Sequence, residues 1–393
     1  MIIERTRVLV ILLSVISLSY SCSKESETSQ IASQNLLSFE KTYGGYYDDV
    51  ANSGIIFEDE LYIIGSTQPN KGANKMIYLI KTDLNGNEIF NKVYGGLGDD
   101  EGIKIISTQD DNFFIIGSTI KEGDIFKDVM ALKIDHNGNV LWEKTFGGFS
   151  NDFPMDVLLT KNGEFCILGA TGSYGAGGGD IYLIWMDQSG NILREKFYGQ
   201  SDLDAGSSML EMENGDLIVF GYTNNYGAVS RDYYLMKLSA TGDSIWAKRY
   251  GGSDYEESQE IVRTSEGGFL MNGHSASTDP NHNMYAVKVD VDGNIIWERN
   301  YGGALHDGGQ SVLINSESEY VFVARSDSYG MGQGIYMVTT DTAGNILSES
   351  VFDGHGDDRI DEIIEYGNSY FLIGQSNSFD DGDYDVYLIK HPK

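Results

Sequence analysis

A signature of an aromatic residue followed by glycine, most often aromatic-Gly-Gly, recurs at Tyr43, Tyr94, Phe146, Tyr198, Tyr250 and Tyr301, with a degraded copy at Phe352. The successive intervals are 51, 52, 52, 52, 51 and 51 residues. Spacing this regular defines seven copies of one supersecondary unit and so constrains the fold more than any other feature of the chain. Inside each unit the apolar residues alternate with period two, which no helical repeat does. The unit that begins at Tyr94 contains four strand candidates, Ile103 to Ser107, Phe113 to Thr119, Val129 to Asp135 and Val140 to Phe146. Turn chemistry separates them at Asp110-Asp111-Asn112, at Ile120 to Lys127 and at Asn137-Gly138. Four strands in about 50 residues is the size of one propeller blade.

The ends of the repeat predict how the ring closes. The seventh unit reaches Lys393 after its third strand, Asp385 to Lys390, and so lacks a fourth. The segment Leu36 to Thr42 (LLSFEKT) precedes the first signature and aligns with the fourth strands Val140 to Thr145 and Ile296 to Asn300. The expected fold is therefore all-β: a seven-bladed β-propeller of four-stranded blades over residues 36–393, with an N-terminal strand completing the last blade. Such closure leaves no open sheet edge.

Residues 1–21 combine a basic start (Arg5, Arg7) with an apolar run from Val8 to Ile16 and small residues before Cys22, which reads as a secretory signal peptide. The placement of Cys22 resembles the acylation site of bacterial lipoproteins, and that resemblance implies a lipid on this cysteine; a simply cleaved signal is the alternative. Residues 22–35 are polar and charged and read as a flexible tether. Acidic residues directly after such a cysteine resemble surface-export signals of some Gram-negative lipoproteins. The expected location is thus the cell envelope, as an outer-membrane lipoprotein with outward-facing placement.

The positions four before each signature aromatic read Phe39, Phe90, Trp142, Arg194, Trp246, Trp297 and Ser348. Five of the seven are aromatic, which points to packing between blades. The stretches Asp135 to Trp142 and Asp290 to Trp297 resemble the tryptophan-docking segments of quinoprotein-type propellers. The mature chain as a whole resembles a family of bacterial cell-surface lipoproteins built from YGG repeats, and that resemblance implies a monomeric envelope propeller.

Composition narrows the chemistry. With 59 acidic and 27 basic residues and a formal charge of -32, the chain is a poor candidate for nucleic acid, whose binding rests on lysine and arginine. Six residues after each signature aromatic stands an acid: Asp49, Asp100, Asp152, Asp204, Glu256, Asp307 and Asp358. Ring closure would make these a cation-attracting rim, with calcium the natural guest; the alternative is that each acid caps its own turn. A second acid row, Asp128, Asp180, Asp232 and Asp385, opens the third strands, with Asn283 in a fifth blade. The recurring Asp-x-x-Gly-Asn turns, such as Asp83 to Asn87, lack the twelfth-position glutamate of a calcium loop. The glycine-rich loop Gly169 to Asp180 has no following helix and no Gly-Lys-Ser/Thr, so it reads as an inter-strand excursion instead of a phosphate cradle.

Among six histidines, His274, His282 and His306 are close in chain and adjacent in blade order, without the spacing of a zinc site. Cys166, in an alternating apolar run, reads as core. No Gly-x-Ser-x-Gly or other catalytic motif occurs, so no cofactor and no catalytic residue is expected. The expected function is a non-catalytic binding or scaffolding module for a protein or glycan, read by the variable loop face. The alternative is a surface carbohydrate-active enzyme of glycoside-hydrolase type, suggested by Tyr174, Tyr226 and Tyr329 beside abundant acids.

Overall fold

The computed structural model describes residues 38–277, 281–330, 332–352, 354–379 and 382–393. Blade 1 consists of β2 (Asp49–Phe57), β3 (Glu60–Thr67), β4 (Met76–Asp83) and β5 (Glu88–Tyr94), and blade 2 of β6 (Asp100–Ser107), β7 (Phe113–Ile120), β8 (Lys127–Ile134) and β9 (Val140–Phe146). Blade 3 consists of β10 (Asp152–Leu159), β11 (Phe165–Thr171), β12 (Asp180–Met186) and β13 (Ile192–Tyr198), and blade 4 of β14 (Asp204–Glu211), β15 (Leu217–Thr223), β16 (Asp232–Leu238) and β17 (Ser244–Tyr250). Blade 5 follows with β18 (Glu256–Arg263), β19 (Phe269–Ser275), β20 (Met284–Val289) and β21 (Ile295–Tyr301), and blade 6 with β22 (Asp307–Ile314), β23 (Tyr320–Ser326), β24 (Gly334–Thr340) and β25 (Ile346–Phe352). Blade 7 is built from β26 (Asp358–Tyr366), β27 (Ser369–Ser376) and β28 (Asp385–Pro392), with β1 (Phe39–Tyr43) as its outer strand. The chain is a seven-bladed β-propeller, and β1 closes it by pairing Phe39 with Lys390 and Tyr43 with Val386. The expectations for residues 1–35, including Cys22, fall outside the described residues.

The two middle strands of each blade are buried on both faces and carry continuous apolar runs, such as Phe113 to Ile116 and Ile181 to Met186. The outer strands alternate between packing on the next blade and meeting solvent. Core clusters form between neighbouring blades; one joins Phe220, Tyr233 and Leu235 of blade 4 to Met271 and Tyr285 of blade 5. Each blade alone would leave one sheet face uncovered, so the ring is the smallest unit that buries all of them.

The signature aromatic staples one blade to the next. The Tyr94 hydroxyl donates to the Gly138 carbonyl of the following blade at 2.8 Å, and Tyr43, Tyr250 and Tyr301 do the same to Gly86, Gly293 and Gly344. Phe146 has no hydroxyl; there the Trp142 Nε1 still donates to the Gln188 carbonyl at 3.1 Å, a bond that Trp297 also makes to Thr342 beside Tyr301. Gly138 holds φ +69°, and a Cβ there would lie 2.7 Å from the Tyr94 hydroxyl, so glycine is required twice over.

The inner strand of every blade carries a β-bulge at the third residue after its first acid: Asn52, Ile103, Met155, Ser207, Gln259, Gln310 and Asp361. The bulge breaks the alternation, which is why sequence periodicity placed the start of the inner strand of blade 2 at Ile103 when the strand begins at Asp100.

Candidate functional site

The seven signature acids are buried beneath their own turns. Each accepts a backbone N–H from the turn at 2.6 to 3.3 Å, for example Gly45 to Asp49, Gly148 to Asp152 and Gly303 to Asp307. A hydroxyl from the neighbouring strand fills the other oxygen: Thr171 on Asp152, Thr223 on Asp204, Ser275 on Glu256, Ser326 on Asp307 and Ser376 on Asp358. The bonding is that of turn caps. Burial pushes the Asp49 carboxyl up to about 6, and raises Asp100, Asp204 and Glu256 as well. The second acid row is buried too, with Asp180 accepting the Ala176 N–H at 2.8 Å and Asp232 paired with Arg249.

The seven bulge residues, with Lys104, Asp156, Ser208 and Glu260 directly after four of them, line a central cavity of about 300 Å³. Here acceptors reach across to the next blade's backbone: Asp156 takes the Met209 N–H at 2.8 Å, Glu260 that of Val312 at 2.8 Å and Glu362 that of Gly54 at 2.7 Å. In blade 2 the equivalent residue is Lys104, whose ammonium bonds Glu362 at 2.8 Å. Burial pulls its pKa down, but Glu362, Glu260 and Asp156 outweigh that and keep the lysine charged above its usual value. Sequence reasoning did not find this ring; its signal was a polar residue four positions after each signature acid.

The seven-fold pattern is abandoned on one face, over blades 4 to 6. The residue before the signature acid is Asp48, Asp99, Asn151 and Asp357 in blades 1, 2, 3 and 7, where its side chain accepts the N–H that opens the third strand of the preceding blade. In blades 5 and 6 it is Tyr255 and His306. A second variable column, on the second strand, is Ser66, Ser118 and Ala170 in blades 1 to 3, and Tyr222, His274 and Arg325 in blades 4 to 6.

These substitutions converge. The His306 ring lies 5.4 Å from that of His274 and 6.0 Å from that of His282. The Tyr255 hydroxyl is 2.8 Å from His282 Nδ1, and His282 holds the left-handed φ of +61°. His274 is 95% buried; its Nδ1 has no partner among the described residues, and its Nε2 stands 3.8 Å from Glu257 across the β18–β19 ladder. Burial first, then His306 and Arg325, push His274 down to about 3, and burial with Arg325 lowers His306. The two imidazoles are therefore neutral near pH 7. Arg231 stacks 4.1 Å above Tyr222 and pairs with Glu257 at 3.2 Å.

The three histidines set apart in the sequence are thus brought together, because the second and first strands of adjacent blades meet at the ring. Among the described residues no group of three or more His, Cys, Asp or Glu is disposed to hold a metal ion. Tyr174, Tyr226 and Tyr329 instead pack on strand aromatics, Tyr226 on Tyr234 at 5.1 Å and Tyr329 on Tyr336 at 5.0 Å. Cys166 is buried in the core, where desolvation raises its thiol well above the usual value.

No protein-family model matches the chain. Among curated proteins it is similar to the regulatory protein FlaEY of Caulobacter vibrioides, 23% identical over 171 residues, which are 37% of this chain and 18% of that protein. The chain therefore spans under a fifth of that relative's length. Similar solved structures include the polysaccharide lyase Uly1 (TM-score 0.56, 8% identity, 93% and 94% of the two chains). They also include the Pan2 WD40 domain of Neurospora crassa (0.53, 12%, 87% and 89%). Drosophila Plexin A in complex with Semaphorin 1b is a third (0.52, 9%, 90% and 87%). Identities this low establish a shared propeller fold and nothing finer.

Proposed function

We propose that the protein is a lipid-anchored binding module of the bacterial cell envelope, of the YGG-repeat surface lipoprotein kind, whose ligand is read on the face of blades 4 to 6. The anchor rests on the signal-like residues 1–21 and on Cys22. The binding face rests on one observation: Tyr255 and His306 occupy positions that cap a neighbouring strand in four other blades, and they pack instead into a cluster with His274 and His282. A repeat that gives up a structural residue at one place and keeps it elsewhere marks that place for another task. The strained backbone of His282 points the same way.

Two experiments test this reading. Palmitate labelling of cells should be lost in Cys22→Ser, and unchanged labelling would remove the anchor from the account. Purified protein screened on immobilised envelope glycans and proteins should lose its ligand in Tyr255→Ala but keep it in Ser66→Ala, the blade 1 counterpart of His274. Equal loss in both variants would mean that the face is not special.

A second reading, a carbohydrate-active enzyme, draws on the hydrogen bond between Tyr255 and His282 beside two neutral imidazoles, a grouping able to pass a proton. Release of shortened sugars from a glycan that binds, abolished by Tyr255→Phe, would favour it. A glycan recovered intact after long incubation would exclude it.

A further inference from the structure

Arg325 is the anomaly of this site. Among the described arginines, Arg194, Arg231, Arg249, Arg263 and Arg359 each pair with a carboxylate and Arg299 bonds a carbonyl. Among the described residues Arg325 has no hydrogen-bond or ion-pair partner, and its Nε is buried without an acceptor. That is unexpected in a chain with 59 acids for 27 bases. The cause is local: the residue across the ladder from Arg325 is Gly308, where blade 5 has Glu257 facing His274 and blade 2 has Glu101. Gly308 does not hold a positive φ, and a Cβ there would stand 3.4 Å from both Arg325 Nε and His306 Cε1. Backbone geometry therefore does not demand glycine here. What glycine does is leave the guanidinium without a carboxylate across the ladder, next to a buried histidine whose Nδ1 is also unpartnered among the described residues.

Resting on the binding reading above, we propose that this site takes the carboxylate of an acidic sugar, a uronate residue of a glycan, with Arg325 as its counter-ion. The planar guanidinium fork matches a carboxylate's two oxygens. A single uncompensated cation balances one negative charge, since Arg231 is already paired with Glu257; this favours a monovalent carboxylate over a phosphate carrying nearly two charges. Beside it stand His306 and, through the histidine cluster, Tyr255, groups that recognise sugar hydroxyls and ring faces, while the Asp327 carboxylate lies 4.0 Å from His306 Nδ1. The overall negative charge acts weakly at this range, because salt screens it beyond about 8 Å.

The test is calorimetric titration of the folded protein with an oligouronate, with a neutral oligosaccharide of the same linkage, with free glucuronate and with an acidic peptide. The oligouronate and glucuronate should bind. Arg325→Ala should weaken both by roughly ten- to a hundredfold, the worth of a charge-assisted hydrogen bond. Gly308→Glu should do the same while leaving the thermal midpoint unchanged or higher, since it supplies the carboxylate internally; that second variant separates lost recognition from lost folding. Equal affinity for the neutral oligosaccharide, lost in Tyr255→Ala and kept in Gly308→Glu, would overturn the carboxylate and leave the binding module standing. Tighter binding of the acidic peptide than of the oligouronate would overturn the sugar. No binding of any of the four would overturn the inference.

Discussion

Asp152 and Asp83 show how one residue type does two jobs in this chain. Asp152 is buried, with the Gly148 N–H and the hydroxyls of Thr171 and Ser173 all donating to it. Asp83 is half-buried at the β4–β5 turn, where burial raises its pKa but the N–H groups of Asn85 and Asn87 and the Asn87 amide outweigh that and hold it below the usual value. Replacing Asp152 by alanine would strand three donors in a closed site, so we expect a loss of about 2–3 kcal/mol, read from urea unfolding; a change within experimental scatter would mean the cap carries no load. The titrating residues predict a pH signature. Folded His274 protonates only near pH 3 against 6.5 for an ordinary histidine, so the unfolded chain holds the extra proton between those values. Its contribution to stability therefore rises with pH through that window and is lost as pH falls. Asp49 has the opposite sign: its pKa is raised from 3.8 to about 6, so the folded form holds the proton and stability from this group declines as pH rises across that interval. Unfolding midpoints measured from pH 3 to 7 should show a shallower acid limb in His274→Gln than in the parent, and a steeper one there would contradict the assignment.

At the scale of strands and turns, most of the fold was legible in the amino-acid sequence and some of the chemistry was not. The period of the signature located all seven blades, and the alignment of Leu36 to Thr42 with known fourth strands found the closing strand β1. The bulges hid the first three residues of the inner strands, because one unpaired residue shifts every later side chain to the other face. They also hid the central ring, since Lys104, Asp156, Glu260 and Glu362 read as solvent-facing positions in a regular strand. The histidines could be singled out by blade order, whereas Arg325 could not: its lack of a partner depends on Gly308, a pairing that only the register reveals. The ring makes its own prediction. Lys104→Met removes the cation that Glu362, Glu260 and Asp156 share, which should cost roughly 3 kcal/mol. The double variant Lys104→Met with Glu362→Gln should recover part of that loss, and full additivity of the two changes would show that the groups do not interact.

Across the whole molecule, a seven-fold scaffold is held by nearly identical staples and caps, so variation has a place to concentrate without loss of the fold. Blades 1 to 3 present small second-strand residues and exposed apolar side chains at Tyr46, Leu97 and Phe149, while blades 4 to 6 gather tyrosine, histidine and arginine. On the proposed function, the ligand is read on the second group. The most direct measurement places a photo-crosslinking amino acid, one variant at a time, at the equivalent exposed turn positions of the seven blades: Tyr46, Leu97, Phe149, Ser201, Ser253, Ala304 and His355. In living cells, adducts should form from positions 253 and 304 and be absent from 46, 97 and 149. Adducts confined to the apolar side of blades 1 to 3, or spread evenly around the ring, would contradict it.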